Sequence, residues 1–300
     1  VIPFVRQFDF AYGRADRVSP LIQRVIADNP GPFTFTGTGT YIVGRDSPVA
    51  SVAVIDPGPP DEAHLHAILR ALGGRTVSHI LVTHTHRDHA PLARPLAEAT
   101  GAPILAAGPP AHETHASGGL DEEDDADFRP DRVLTDGKRI KGDGWTLRVL
   151  ATPGHASNHL AFVLEEERAL FSGDHVMGWS TTVVAPPDGD MAAYFTSLDR
   201  VIAEDFETLW PTHGPPVTKT APFLAAYRAH RLEREAQILA RLAAGDTMIG
   251  QMIPTLYAAV DSRLWPAASL SVQAHLIKLV RDGRVVADPA PTLDARYALG

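Results

Sequence analysis

Three hundred residues, 44% of them hydrophobic, can bury a full core as one large domain or as a large domain with a small companion, which excludes a disordered chain. There is no cysteine, so disulfides, thiolate zinc sites, iron–sulfur clusters and cysteine nucleophiles are excluded together, and any metal must be held by His, Asp and Glu. The net charge of −9 is uneven, with nine Lys+Arg against seven Asp+Glu in residues 228–300 and therefore −11 in residues 1–227.

Residues 33–43 alternate polar with β-branched and aromatic side chains, and 51–55 follow after a turn, which predicts an antiparallel strand pair. Gly37-Thr38-Gly39 lacks the third glycine and the following helix of a dinucleotide-binding loop. Asp61 caps a predicted helix that runs to Leu72 and stops at Gly73-Gly74, and 77–83 reads as a buried strand. That strand delivers His84-Thr85-His86-Arg87-Asp88-His89, three imidazoles and a carboxylate within six residues. A helix is expected over 88–100, with Asp88 and His89 at a start whose dipole favours the carboxylate. A short strand at 103–107 follows, then the acidic run 121–127, read as a solvated loop because it has neither the spacing nor the turn glycine of a calcium loop.

Strands are expected at 145–150, 160–164 and 169–172. Leu150-Ala151-Thr152-Pro153-Gly154-His155, Leu170-Phe171-Ser172-Gly173-Asp174 and Leu209-Trp210-Pro211-Thr212-His213-Gly214 share one recipe. In each, an apolar strand runs out, Gly or Pro breaks it, and a metal-binding side chain stands at the edge. His84, His86, Asp88, His89, His155, Asp174 and His213 are too many for one tetrahedral ion and suit two ions sharing a carboxylate. One ion would take His84, His86 and His155 and the other Asp88, His89 and His213, with Asp174 and a hydroxide bridging them and Asp88 orienting that hydroxide. Asp88 and Asp174 are therefore the candidate catalytic residues. Imidazole and carboxylate suit zinc first, with iron or manganese as alternatives. Two such ions make hydrolysis the natural reaction.

The four motifs together resemble the metallo-β-lactamase superfamily, over residues 33 to about 222. The resemblance implies an α/β fold, an αββα sandwich of two mixed sheets with the metals at one edge. It implies a bridging role for Asp174, which counts against antibiotic hydrolysis, and a supporting role for Asp56 in orienting a ligand histidine. Gly178–Val184, Asp188-Gly189-Asp190-Met191 and His230-Arg231-Leu232-Glu233-Arg234-Glu235 resemble the narrower β-lactamase-like endoribonuclease subgroup, which cuts single-stranded RNA.

The tail reads as helices at 230–244, 248–260 and 266–281, then a strand at 283–287 and a return near 296–299. Three helices and a hairpin describe a winged helix, so the expected domains are 1–222, catalytic, and 223–300, winged helix. Gln273, His275, Lys278 and Arg281 on the third helix offer a nucleic-acid face, but a charge of about +2 is thin for phosphate binding. The plainer role is a wall of the active-site cleft. The leading expectation is a binuclear hydrolase acting on a small molecule or on single-stranded RNA. The alternatives are a glyoxalase-like thioester or lactone hydrolase, disfavoured by the winged helix, a ligand-sensing nucleic-acid-binding protein, and a mononuclear iron oxygenase. No stretch is long and apolar enough to span a membrane, and Val1-Ile2-Pro3-Phe4-Val5-Arg6 lacks the build of a signal peptide, so a soluble cytoplasmic protein is expected. Of the other histidines, His159 is expected to be a buried supporting residue, while His175 lines the cleft or packs in a loop. Thr181 and Thr182 are placed at the cleft wall.

Overall fold

The computed structural model describes residues 1–112 and 123–300. A seven-stranded sheet runs in chain order: β1 (Ala15–Arg17), β2 (Ile22–Ile26), β3 (Gly39–Val43), β4 (Ser51–Ile55), β5 (Thr76–Leu81), β6 (Ile104–Ala106) and β7 (Arg132–Val133). The first four strands are antiparallel and β4 to β7 are parallel. Helices α1 (Glu62–Leu72) and α2 (Ala93–Thr100) make the crossovers from β4 to β5 and from β5 to β6 that a parallel pairing requires. Asp61 caps α1 through the Ala63 amide, and Gly73 ends it in the left-handed region, as the sequence predicts. A five-stranded sheet holds β8 (Arg139–Gly142), β9 (Trp145–Ala151), β10 (Leu160–Leu164), β11 (Ala169–Gly173) and β12 (Thr208–Pro211), in the order β12-β11-β10-β9-β8.

Alternation along the strands builds three layers of core. Tyr41, Ile55 and Leu81 meet Leu147, Phe162 and Phe171 between the sheets. Val54, Ile80 and Val82 point the other way and bury Ile68 of α1 and Leu96 of α2. Leu150, Val163 and Leu209 face helices α3 (Met191–Ala203) and α4 (Thr220–Ala243). Each fully buried side chain of this size contributes about 1.5–3 kcal/mol, so the αββα order follows from strands that are apolar on both faces.

Past the second sheet, α4 continues into α5 (Ile249–Leu256), α6 (Trp265–Arg281) and the hairpin β13 (Val285–Asp288) and β14 (Arg296–Leu299). Ile238, Met252, Val272, Leu276 and Tyr297 give this winged helix its own core. Residue 223, the expected domain start, lies within α4, whose Phe223 and Tyr227 pack on the second sheet while Ile238 and Leu242 pack in the winged helix. Among the described residues no helix is long and apolar enough to cross a membrane.

Several local expectations are corrected. Residues 33–38 are turns, because Phe35 and Gly37 have φ of 56° and 117° and a Cβ at Gly37 would meet the Ala27 carbonyl at 2.1 Å. The helix after the histidine cluster begins at Ala93, so Asp88 and His89 do not sit at its start. They lie in a turn closed by the His89 and Ala90 amides donating to the His86 carbonyl, and the helix dipole is not what holds Asp88. The acidic run is not wholly solvated: the Arg87 amide donates to the Glu123 carbonyl and the Asp125 amide to the Thr85 carbonyl, so 123–125 buttress the cluster. Asp121 and Glu122 lie outside the described residues. Strands β1, β7 and β8 carry too few apolar residues to be foreseen from periodicity, and β2 was not foreseen although Ile22, Val25 and Ile26 are apolar.

Candidate metal centre

The seven proposed ligands stand beyond the C-terminal ends of β5, β9, β11 and β12, at one edge of both sheets. Glycine makes two of these strand exits. Gly154 has φ 143° and a Cβ there would lie 2.4 Å from the Tyr194 Cα, and Gly173, at φ 52°, lies against the His159 ring. The structure brings all seven side chains together. The atoms of His84, His86 and His155 that can bind a metal lie within 4.8 Å of one another, and so do those of Asp88, His89 and His213. His84 Nε2 is 2.9 Å and His155 Nε2 3.2 Å from His86 Nδ1. Asp174 stands between the two groups, with Oδ1 3.6 Å from His89 Nε2 and Oδ2 3.5 Å from His213 Nε2 and 3.9 Å from His155 Nε2.

The opposite ring nitrogens explain these orientations. His89 Nδ1 is 2.9 Å from Asp56 Oδ2, His155 Nδ1 is 2.8 Å from the Val183 carbonyl, and His213 Nδ1 is 3.3 Å from the Gly37 carbonyl. An Nδ1–H donated outward aims Nε2 inward, as the atom left to bind a metal once its proton is displaced. His89 Nε2, His213 Nε2 and Asp174 Oδ1 are buried atoms without a hydrogen-bond partner among the described residues. Burial of such atoms costs about 1–3 kcal/mol each unless something satisfies them. Divalent cations at the two groups would do so, and the donor set of imidazole and carboxylate suits them. The cluster therefore fits a binuclear centre.

The electrostatics divide the cluster in two. Burial, reinforced by the His89, His86 and His155 rings, pushes the His84 imidazole well below its ordinary value, and burial with His155 pushes His86 down to about 4. For His213 burial pulls downward but Asp174 and Asp88 outweigh it and raise the ring to about 10; the same contest, with Asp88 foremost, lifts His89. Burial alone would raise Asp88 and Asp174, yet the facing His89 and His213 hold both well below the usual carboxylate range. Cations entering the second group must displace the protons on those rings.

Asp56 does what the resemblance implies, and more. Its buried carboxylate accepts from the Thr83 amide at 2.8 Å, Thr83 Oγ1 at 2.9 Å and Thr212 Oγ1 at 2.8 Å besides His89. His159 is buried, with Nδ1 2.8 Å from Thr152 Oγ1 and Nε2 accepting from the Asp174 amide at 3.1 Å. His175 does not line the cleft: it is fully buried, packed 4.8 Å from the Tyr194 ring. Thr182 Oγ1 donates to the Asp174 and His175 carbonyls, and Thr181 reaches the cleft wall. Thr83, Thr212 and Asn158, which donates to Thr85 Oγ1, were not foreseen. Only their closeness in sequence to ligands could have flagged them.

Two openings meet at Asp174. One is a cleft between the sandwich and the winged helix, walled by Met177, Val260, Leu264 and Ala268. The other is a mouth formed by residues 29–34 with His86, Arg87 and Asp88.

An αββα sandwich with a His/Asp centre at one sheet edge, open to a cleft, defines the class of metal-dependent hydrolases. The chain belongs to the metallo-β-lactamase superfamily, which residues 37–213 match, and residues 249–291 match the β-lactamase associated winged helix domain. The Beta-lactamase-like protein 2 homolog of Caenorhabditis elegans is 30% identical over 282 residues, covering 91% of this chain and 88% of that protein. The Atrochrysone carboxyl ACP thioesterase of Aspergillus chevalieri is 31% identical over 283 residues, covering 90% and 84%. A solved β-lactamase domain protein from Burkholderia ambifaria has a TM-score of 0.79 at 24% identity, covers 100% of this chain and 97% of its own, and shares the fold.

Proposed function

We propose that this hydrolase cleaves acyl thioesters, with His84, His86, Asp88, His89, His155, Asp174 and His213 holding two zinc ions. The observation that carries the reading is that two openings meet at Asp174, one of which has an apolar wall of Met177, Val260, Leu264 and Ala268. That wall suits an acyl group, and the second opening leaves a path for the thiol arm. The similarity to a protein named as a carboxyl ACP thioesterase points the same way. Bound divalent ions would supply Lewis acidity for the thioester carbonyl and for the attacking water. The Asp88 carboxylate, about a quarter exposed and 3.0 Å from His213, accepts a hydrogen bond from that water and orients it toward the carbonyl carbon. Water adds, the carbon–sulfur bond breaks, and the thiolate takes the released proton to leave as thiol. Asp174 is held in place by His159 on its amide and Thr182 on its carbonyl.

Single-stranded RNA is the competing substrate. A net charge of −9, and the apolar wall of Met177, Val260, Leu264 and Ala268 in the cleft, favour an acyl group over a phosphate backbone. The test is a panel of octanoyl-N-acetylcysteamine, a lactone, a β-lactam and a single-stranded RNA oligomer, each incubated with wild type and His86→Ala. Thiol release by wild type that His86→Ala loses is the expected result. RNA cleavage with the same metal dependence and no thiol release would overturn the proposal. Metal analysis of protein purified without added metal should return two zinc ions per chain; iron or manganese would replace that assignment, and a single iron would favour the oxygenase reading.

A further inference from the structure

The cleft between the sandwich and the winged helix carries three basic side chains that the proposed chemistry does not use. His230, Arg231 and Arg234 all line it, from one stretch of α4. Among the described residues neither arginine has a carboxylate partner, although the chain has nine more acidic than basic side chains. Of the other basic side chains of the winged helix, Arg241 pairs with Asp246, Arg263 with Asp261, Lys278 with Glu235 and Asp282, and Arg281 with Asp190, while Arg284 and Arg296 are exposed to solvent. Two guanidinium groups without a carboxylate partner, in a cleft with one apolar wall, are costly to keep unless an anion visits them.

Their anchoring shows that they are built into place. Arg231 is only 4% exposed, lies 5.0 Å from the Tyr194 ring centroid and donates through Nη2 to the Thr182 carbonyl, while its buried Nε has no partner. Arg234 stacks 4.2 Å from the Tyr257 ring centroid and spends Nη1 on the Leu256 carbonyl at 2.7 Å. A guanidinium has five N–H donors, so each keeps donors in hand, and two fixed forks suit a carboxylate. His230, also lining the cleft, is pushed down to about 4 by burial and by the Arg231 and Arg234 charges, so at neutral pH it is a neutral side chain there. Asp174 lines the same cleft, so the basic pair and the metal centre face one continuous space.

We propose that Arg234 and Arg231 form an anion subsite that reads a carboxylate on the distal part of the acyl group, making the preferred substrate an acyl thioester whose acyl portion is itself acidic. The substrate claim rests on the thioesterase reading above; the anion subsite does not. A carboxylate at the end of an acyl chain is favoured over a phosphate because the same cleft carries the apolar wall of Val260, Leu264 and Ala268, which suits the chain.

Two measurements keep the claims separate. Calorimetric titration of the metal-loaded protein compares octanoate with the α,ω-dicarboxylates from glutarate to sebacate. Each ligand has one carboxylate for the metals, and only the diacids have a second for the arginines. At least one diacid should bind tenfold or more tightly than octanoate, the advantage should vanish in Arg234→Gln, and Arg234→Lys should recover part of it. Equal affinities in wild type, or a diacid advantage untouched in folded Arg234→Gln, would overturn the subsite. In turnover, the suberoyl and octanoyl thioesters of N-acetylcysteamine are compared as kcat/KM. A suberoyl preference that collapses toward unity in Arg234→Gln is expected, and a preference that persists in that variant sinks the substrate claim. If wild type cleaves neither thioester while the diacids still bind preferentially, the thioesterase reading and the substrate claim fall and the anion subsite stands.

Discussion

Asp56→Asn isolates how one buried carboxylate holds the second half of the metal centre. The substitution keeps shape, and asparagine tolerates the φ of 48° found at this position, so backbone strain does not confuse the result. Three donors converge on Oδ2, Thr83 Oγ1, Thr212 Oγ1 and His89 Nδ1, and one, the Thr83 amide, reaches Oδ1. An amide must put its nitrogen on one side, and the lesser conflict is at Oδ1, which leaves the Thr83 amide facing an N–H. Three bonds to a charged acceptor then become bonds to a neutral one, each weaker by about 1 kcal/mol, and one buried donor is orphaned for about 1–3 kcal/mol more. The expected loss of folding stability is about 4–6 kcal/mol in the metal-free protein. His89 also loses the partner that fixes its Nδ1–H tautomer, and loss of such a partner weakens metal binding about 10–100-fold, or about 1.4–2.8 kcal/mol. Urea unfolding of the apoprotein reads the first quantity, and competition with a chromophoric chelator reads the second. One ion should weaken, the one assigned to Asp88, His89 and His213, while the ion at His84, His86 and His155 stays. A folded Asp56→Asn protein that binds two ions at wild-type affinity would refute the reasoning.

Gly154→Ala should disable the centre from outside it: the new Cβ meets Tyr194 backbone at 2.4 Å, so His155 must move, and loss of one ion with a Tm drop is the expected readout. A pH dependence follows from His64, which burial holds down to about 4. Thr40 Oγ1 donates to the Asp56 carbonyl, so it can only accept from His64 Nε2, 2.8 Å away, and His64 Nδ1 is buried without a partner that could take a proton. Because the folded pKa lies below the unfolded value of about 6.5, the unfolded chain binds more protons between the two. This contribution is whole above pH 6.5 and falls by about 3 kcal/mol as pH drops toward 4. Urea unfolding at pH 7 and pH 4.5 should show a smaller acid loss in His64→Gln than in wild type, and equal losses would contradict the assignment.

What the sequence displays and what it hides differ in range. Each proposed ligand is local to its strand end, so an apolar run broken by Gly or Pro and followed by His or Asp was readable at 84, 155, 174 and 213. The grip of Asp56 on Thr212 joins residues 156 apart, and no local period encodes such a contact. The helix start at Asp88 was misread because Asp is a common cap and apolar spacing continues through 89–97. The backbone instead spends the His86 carbonyl on a turn and starts the helix only after Pro91. Arg231 and Arg234 stood in plain view, but only tertiary packing separates an unmatched arginine from a solvated one.

The third helix of the winged domain shows how that packing redirects a motif. Gln273 donates to the Pro291 carbonyl, His275 is fully buried 3.5 Å from Glu235, Lys278 is paired with Glu235 and Asp282, and Arg281 reaches Asp190 at the start of α3. The four side chains that would read a nucleic acid are thus each engaged within the protein. Lys278 also sits 5.4 Å from the Phe195 ring centroid, which ties α6 to α3. Releasing Lys278 and His275 would leave the buried Glu235 unpaired, a cost of about 3–5 kcal/mol that exceeds what a few phosphate contacts return at an overall charge of −9. The winged helix is therefore held against the sandwich by its own recognition face. Together with α4 it presents Arg231, Arg234 and Tyr257 to the cleft, which makes it one wall of the path to Asp174.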